Sequence, residues 1–158
     1  MNLQSPYHCE GIEHGYRFET DFGSVYELSF LKYPTLSERS EYVLYMFNIE
    51  QVKKGKTSLD ARIQITIEYI LSLFFEYNTD AVVVVMNSSD GKHLARKRLF
   101  DKWYHQKRKL SIEKYEASCT TEDIKIVTTL FFEKSNPFEN NPIRLLRTCK
   151  NKLLFLTQ

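Results

Sequence analysis

Apolar and polar positions first alternate over Tyr16–Thr20, where Tyr16, Phe18 and Thr20 take turns with Arg17 and Glu19. A period of two predicts a strand with one apolar face. Asp21 and Gly23 supply a turn, and Ser24–Tyr33 reads as the returning strand of a β-hairpin. Pro34 and the polar run Ser37–Ser40 separate it from a third strand, Glu41–Val52. The period then changes. Leu59, Ile63, Ile67, Ile70, Phe74 and Tyr77 recur at spacings of three and four, which predicts a helix over Leu59–Tyr77. Thr57 and Ser58 are its N-cap candidates, and Asp60 follows Thr57 as in a capping box. Asp80–Asn87 is apolar without interruption through its centre, so both of its faces should be covered, as in a central strand.

A turn at Ser88–Gly91 leads into a second helix over the stretch Asp90–Lys109. Ser111–Cys119 and Ile124–Lys134, joined through Thr120–Asp123, form a second hairpin. Pro142 opens a last helix, Ile143–Phe155. The order β-β-β-α-β-α-β-β-α predicts an α+β fold, a mixed, mostly antiparallel sheet with helices packed on it. A single domain over residues 1–158 is expected, with 1–14 as a loosely ordered N-terminal segment.

Composition adds little to this until charge is placed along the chain. Apolar residues are 42% and charged residues 27%, which is a globular balance. The net charge is +2, yet Asp90–Lys109 alone carries eight Lys or Arg against two Asp, a net of +6, and the remainder is −4. On a helical wheel, Ala95, Leu99 and Trp103 fall in one arc with Phe100 at its edge. Arg98, Lys102, Lys109, Asp101, His105 and Arg108 fall opposite. Most of the charge is then the solvated back of an amphipathic helix. A nucleic-acid surface built on Arg98, Lys102, Arg108 and Lys109 is the alternative, without any recognised reader motif beside it. Arg96 lies inside the apolar arc. It must snorkel, contact a ligand or form a buried ion pair, for which Asp60 and Asp90 are the candidate partners.

The remaining chemistry is sparse. Cys9, Cys119 and Cys149 form neither a disulfide framework nor a C-x-x-C pair, which fits free thiols in a reducing cytoplasm. The start lacks the layout of a secretion signal, and the longest apolar run, Ala81–Met86, cannot span a bilayer. His8, Cys9 and His14 match no zinc spacing, so no metal is expected. Gly55-Lys56-Thr57 spells the end of a P-loop, but the upstream glycine position holds Glu50. The available acids, Glu68, Glu76, Asp80 and Asp90, do not reproduce a ribonuclease-H-like carboxylate set.

Two resemblances follow from particular residues. Asp60 and Arg62, Phe74-Phe75, Asp90-Gly91-Lys92, Arg96-x-Arg98-Leu99-Phe100 and Trp103-Tyr104 resemble the motifs of a bacterial family of small proteins of unknown function, over Tyr16 to Pro137. The chain departs at Met86-Asn87, where that family often carries Cys-Asp. The family has no established activity to carry over. In topology the chain is similar, more distantly, to the GCN5-related acetyltransferase fold. That likeness implies acetyl-CoA as cofactor, with Lys53, Lys54, Gly55 and Lys56 on its pyrophosphate, although the fold's glycine signature is missing around Gly55. A shared architecture does not imply acetyl transfer. The leading expectation is a non-catalytic binding or interaction domain of a bacterial cytoplasmic protein, without a cofactor. Its partner is expected to be a protein, not nucleic acid or membrane, in a setting such as defence or toxin neutralisation. A divergent acyl-CoA-dependent N-acetyltransferase and an electrostatic nucleic-acid binder are the alternatives. Oligomeric state is not legible.

Overall fold

The fold is described from a computed structural model for residues 4–32, 43–106 and 111–135. Among the described residues, seven strands and two helices run in the order β1 (Glu10–Ile12), β2 (Gly15–Glu19), β3 (Val25–Lys32), β4 (Leu44–Lys53), α1 (Ala61–Tyr77), β5 (Ala81–Asn87), α2 (His93–Gln106), β6 (Ile112–Thr121) and β7 (Ile124–Glu133). The strand order in the sheet is β1-β2-β3-β4-β5-β7-β6. β1–β2, β2–β3, β5–β7 and β6–β7 are antiparallel. This is the mixed α+β architecture that the alternation predicts, with one strand more at the front. The expected last helix, Ile143–Phe155, lies outside the described residues. The chain divides into two compact units, Met1–Leu31 with Phe47–Asn78, and Lys32–Met46 with Thr79–Gln158.

In the first unit the β2–β3 turn closes through Gly23 N–H on Thr20 O and Thr20 N–H on Ser24 O. Gly23 sits at φ +81°, which a side chain would disfavour. The register pairs Tyr16 with Leu28 and Phe18 with Tyr26, so the apolar alternation lands on one face. On that face Phe30 stacks against Phe74 of α1 at 4.6 Å between ring centroids. The N-terminal segment, expected to be loose, is part of this unit. β1 pairs with β2, and Tyr7 is buried, stacked on Phe18 at 5.8 Å and donating its N–H to Thr66 Oγ1 at 2.9 Å.

Helix α1 starts two residues later than its apolar period predicts. Asp60 is the N-cap, not Thr57 or Ser58, and its carboxylate accepts the Arg62 N–H at 3.0 Å. Leu59 is therefore outside the helix and fully exposed. The buried positions are Thr66, Ile67, Ile70, Leu71 and Phe75, and Tyr77, placed on the apolar arc from sequence, is 78% exposed.

In the second unit β5 is buried on both sides, as its unbroken apolar run requires. Val82 pairs with Phe131 and Val83 with Leu130, so neighbouring residues face opposite ways. One face meets α2, where Trp103 sits edge-on to Phe131 at 5.3 Å and Phe100 lies 6.3 Å from it. On the other, Leu44, Ala81, Val83, Leu130 and Phe132 form a cluster with Met46, Val85, Tyr115 and Ala117 around it. The β6–β7 turn uses Glu122 and Asp123 at φ 48° and 66°, the two-residue turn whose twist suits a hairpin. Helix α2 is rotated from its expected arc. Phe100 and Trp103 are buried, Leu99 is half-buried and Ala95 is exposed, so the inward line runs His93, Arg96, Phe100, Trp103.

Candidate functional site

That inward line explains Arg96. It lies one turn before Phe100, at the end of the helix where the buried face opens to solvent. Its guanidinium turns back to Asp90, with Nη1 3.2 Å from Oδ1 and Nη2 on Oδ2. Asp90 Oδ1 also accepts the Lys92 N–H at 2.9 Å. The pair is not buried, since the two side chains are 35% and 40% exposed. Asp60 takes no part in it. The Arg96 guanidinium holds the Asp90 carboxyl below its ordinary range, with help from the Lys92 amide. The pair pins the turn onto the start of α2. His93 Nδ1, in the same turn of helix, is buried without a hydrogen-bond partner among the described residues.

Asp60 belongs to another cluster, in the first unit. While Oδ1 caps α1, Oδ2 accepts the Tyr7 hydroxyl at 2.8 Å, and that hydroxyl accepts the Asp21 N–H at 3.3 Å. Arg62 lies over the Tyr7 ring, 3.8 Å from its centroid. It donates to Asp21 Oδ2 at 2.8 Å and to Ser5 O at 3.1 Å. Burial, with the Asp60 carboxylate adding to it, pushes the Tyr7 hydroxyl above its ordinary range. Tyr7, Asp21 and Arg62 wall a cleft of about 600 Å³ that His8, Glu10, Arg17, Phe18, Glu19 and Val25 complete, while Asp60 does not line it. Its two arginines are already engaged, Arg62 with Asp21 and Arg17 with Glu27 at 3.4 Å.

The loop from Lys53 to Lys56 does not lie at a helix start, because α1 begins at Ala61. Its amides are used within the chain. Gly55 N–H donates to Ser24 Oγ at 2.9 Å, and Lys56 N–H donates to Phe22 O at 2.9 Å. Gly55 is needed for close approach, since an added Cβ would lie 2.2 Å from Phe22 O. Lys53, Lys54 and Lys56 have no backbone cradle of free amides at Gly55 and Lys56 to work with.

On α2, Arg98 and Lys102 are exposed, and Arg108 and Lys109 lie outside the described residues. Lys97 is not free. It bonds Asp101 at 2.7 Å and Glu116 at 3.2 Å, and Asp101 also takes Lys114. Burial opposes ionisation of Asp101, but Lys114 and Lys97 outweigh it and leave the carboxyl lowered. Among the described residues, no group of three His, Cys, Asp or Glu could hold a metal, and the Cys9 thiol donates to Tyr7 O.

The feature that sequence reasoning missed is beside β1. A groove of about 430 Å³ is lined by Gly11, Ile12, His14, Gly15, Tyr16, Phe30, Leu73, Phe74, Tyr77 and Asn78. It lies along the strand at the end of the sheet, between that edge and the C-terminal half of α1. Tyr16, Phe30, Leu73 and Phe74 make it apolar. The signal for β1 was present, since Glu13-His14 forms a two-residue connection between two short extended runs.

No curated protein and no solved structure matches the chain significantly. A family model does match, over residues 59–144, more than half of the sequence. That span takes in α1, β5, α2, β6 and β7, with the Asp60 cap and the Asp90–Arg96 pair at the two helix starts. The chain belongs to the family of unknown function DUF6169.

Proposed function

We propose that the protein is a non-catalytic binding domain, bacterial and cytoplasmic, that receives an extended segment of a protein partner beside β1. The observation that carries this reading is the apolar groove between the edge of β1 and α1. An edge strand presents unpaired N–H and C=O groups, and a groove next to it gives alternate side chains of an added strand a place to go. Its volume is in the range of ligand pockets. The prominent aspartates are occupied, which favours binding over acid–base chemistry. Asp60 caps α1, Asp80 accepts the Val43 N–H, Asp90 holds Arg96 and Asp101 holds two lysines. Internal use of the Gly55 and Lys56 amides weighs against an acetyl-CoA pyrophosphate there. Cys9 and Cys119 are free thiols, as suits a reducing compartment, and no helix among the described residues is long and apolar enough to cross a membrane.

The test is selection of seven-residue peptides from a random display library on the full chain, followed by affinity measurement on wild type and Tyr77→Asp. Tyr77 is 78% exposed, so its replacement should leave the melting curve unchanged. Selected peptides should lose about tenfold in affinity on Tyr77→Asp, the loss of one apolar contact. Peptides that bind both proteins equally, or a selection that yields none, would sink the reading.

A further inference from the structure

The charges around the groove narrow what can lie in it. On the β1–β2–β3 ladder, Gly11, Tyr16 and Phe30 share the face toward α1, and Glu10 and Arg17 share the other. A strand added to β1 would send alternate side chains over the apolar groove and the others beside Glu10. Glu13, whose side chain is 89% exposed, continues the acidic edge at the turn. Glu76 is exposed and shares a helix face with Leu73 of the groove wall. None of the three has a Lys or Arg partner among the described residues: Glu13 has only His14 Nε2, at 3.7 Å, and Arg17, opposite Glu10, is bonded to Glu27.

From this we infer that the occupant is a partner segment of alternating apolar and basic residues, bound as an added strand on β1 with its basic side chains facing Glu10 and Glu13. The inference rests on the groove reading above. Charge complementarity favours this occupant over a second copy of the chain, since pairing of two β1 edges would bring Glu10 of both copies into one short ladder with Glu13 in the turn at its end, and like charges across a ladder are destabilising. Gly11 has open space around its Cβ position, so nothing among the described residues fills the α1-facing side of β1 there, where apolar side chains of the added strand would lie.

The experiment uses the full chain and three labelled seven-residue peptides in which Val alternates with Lys, with Thr or with Glu, read by fluorescence anisotropy. The Lys peptide should bind about fivefold tighter than the Thr peptide, from favourable pairs with Glu10 and Glu13 of about two- to threefold each. The Glu peptide should bind weakest, and the differences should shrink as salt rises. In the double variant Glu10→Lys with Glu13→Lys the order should reverse, with an unchanged melting curve as the check on folding. Equal binding of all three peptides overturns the charge inference and leaves the groove reading standing. Binding of none overturns the groove reading itself. A Lys peptide insensitive to the double variant, or a dimer in sedimentation that the double variant abolishes, also overturns the inference.

Discussion

Asp60 at the start of α1 and Asp90 in the turn before α2 each accept a backbone N–H two residues on, and each helix has an arginine in its first turn. The two starts are nevertheless built differently. Asp90 spends its remaining capacity on Arg96, six residues away, at an exposed turn. Asp60 spends its second oxygen on Tyr7, 53 residues back in the chain, while Arg62 covers the same ring and holds Asp21. The α2 corner therefore fixes only its own turn. The α1 corner ties the N-terminal segment, the β2–β3 turn and the helix together around one buried phenol. Chemically similar starts thus differ in how much of the fold depends on them.

The sharpest way to break the comparison is to empty the α1 corner. Tyr7→Ala removes a buried ring between Arg62 and Phe18 and strands the Asp60 and Asp21 partners of its hydroxyl. The expected loss is about 3–4 kcal/mol in urea unfolding followed by circular dichroism. Tyr7→Phe keeps the ring and should lose about 1–2 kcal/mol. A loss below that for Tyr7→Ala would mean that the N-terminal segment is not held through this residue.

Asp60→Ala comes next. It removes the α1 cap and leaves the Tyr7 hydroxyl without its acceptor, for about 2 kcal/mol. Asp60→Asn retains the cap and should recover about half of that. Equal effects of Asn and Ala would assign the whole role to the Tyr7 bond. The corresponding change at α2, Arg96→Met, should be smaller than either, because the pair is exposed and screened by salt.

The same contrast explains what was legible in the sequence. Asp90 lies six residues before Arg96, in the turn that leads into a predictable helix, so a wheel singled out Arg96 and topology offered Asp90, beside Asp60, as its partner. It misplaced the buried arc by about one residue, because Ala95 and Leu99 were weighed as apolar while the large rings, Phe100 and Trp103, decide which side goes in. The long-range bond from Tyr7 to Asp60 has no local signature, and Tyr7 sits in a segment whose polar neighbours read as a loose end. For α1 the apolar period located the helix but not its start, since Leu59 continues the period in sequence without joining the helix. The lysine loop showed its composition but not that Gly55 and Lys56 give their amides to Ser24 and Phe22. Both hairpins and the central strand were legible, because alternation and turn residues are local. The groove beside β1 was not, because it is lined from segments about sixty residues apart.

The smallest effect sharpens the comparison at α2 alone. Folding lowers the Asp90 carboxyl below its ordinary value of 3.8, chiefly through Arg96 and then through the Lys92 N–H. A depressed carboxyl contributes stability that is present above 3.8 and is lost as pH falls through the lower folded value, so the acid limb of the stability curve is where Asp90 acts. In Arg96→Met the carbon-13 titration midpoint of the Asp90 carboxyl should rise toward 3.8 but stop short of it, because the Lys92 N–H still favours the ionised form. A midpoint that does not move would show that the ion pair contributes nothing in solution. A full return to 3.8 would show that the pair, and not the backbone N–H, orders the turn at the start of α2, making this corner depend on one arginine as the other depends on one tyrosine.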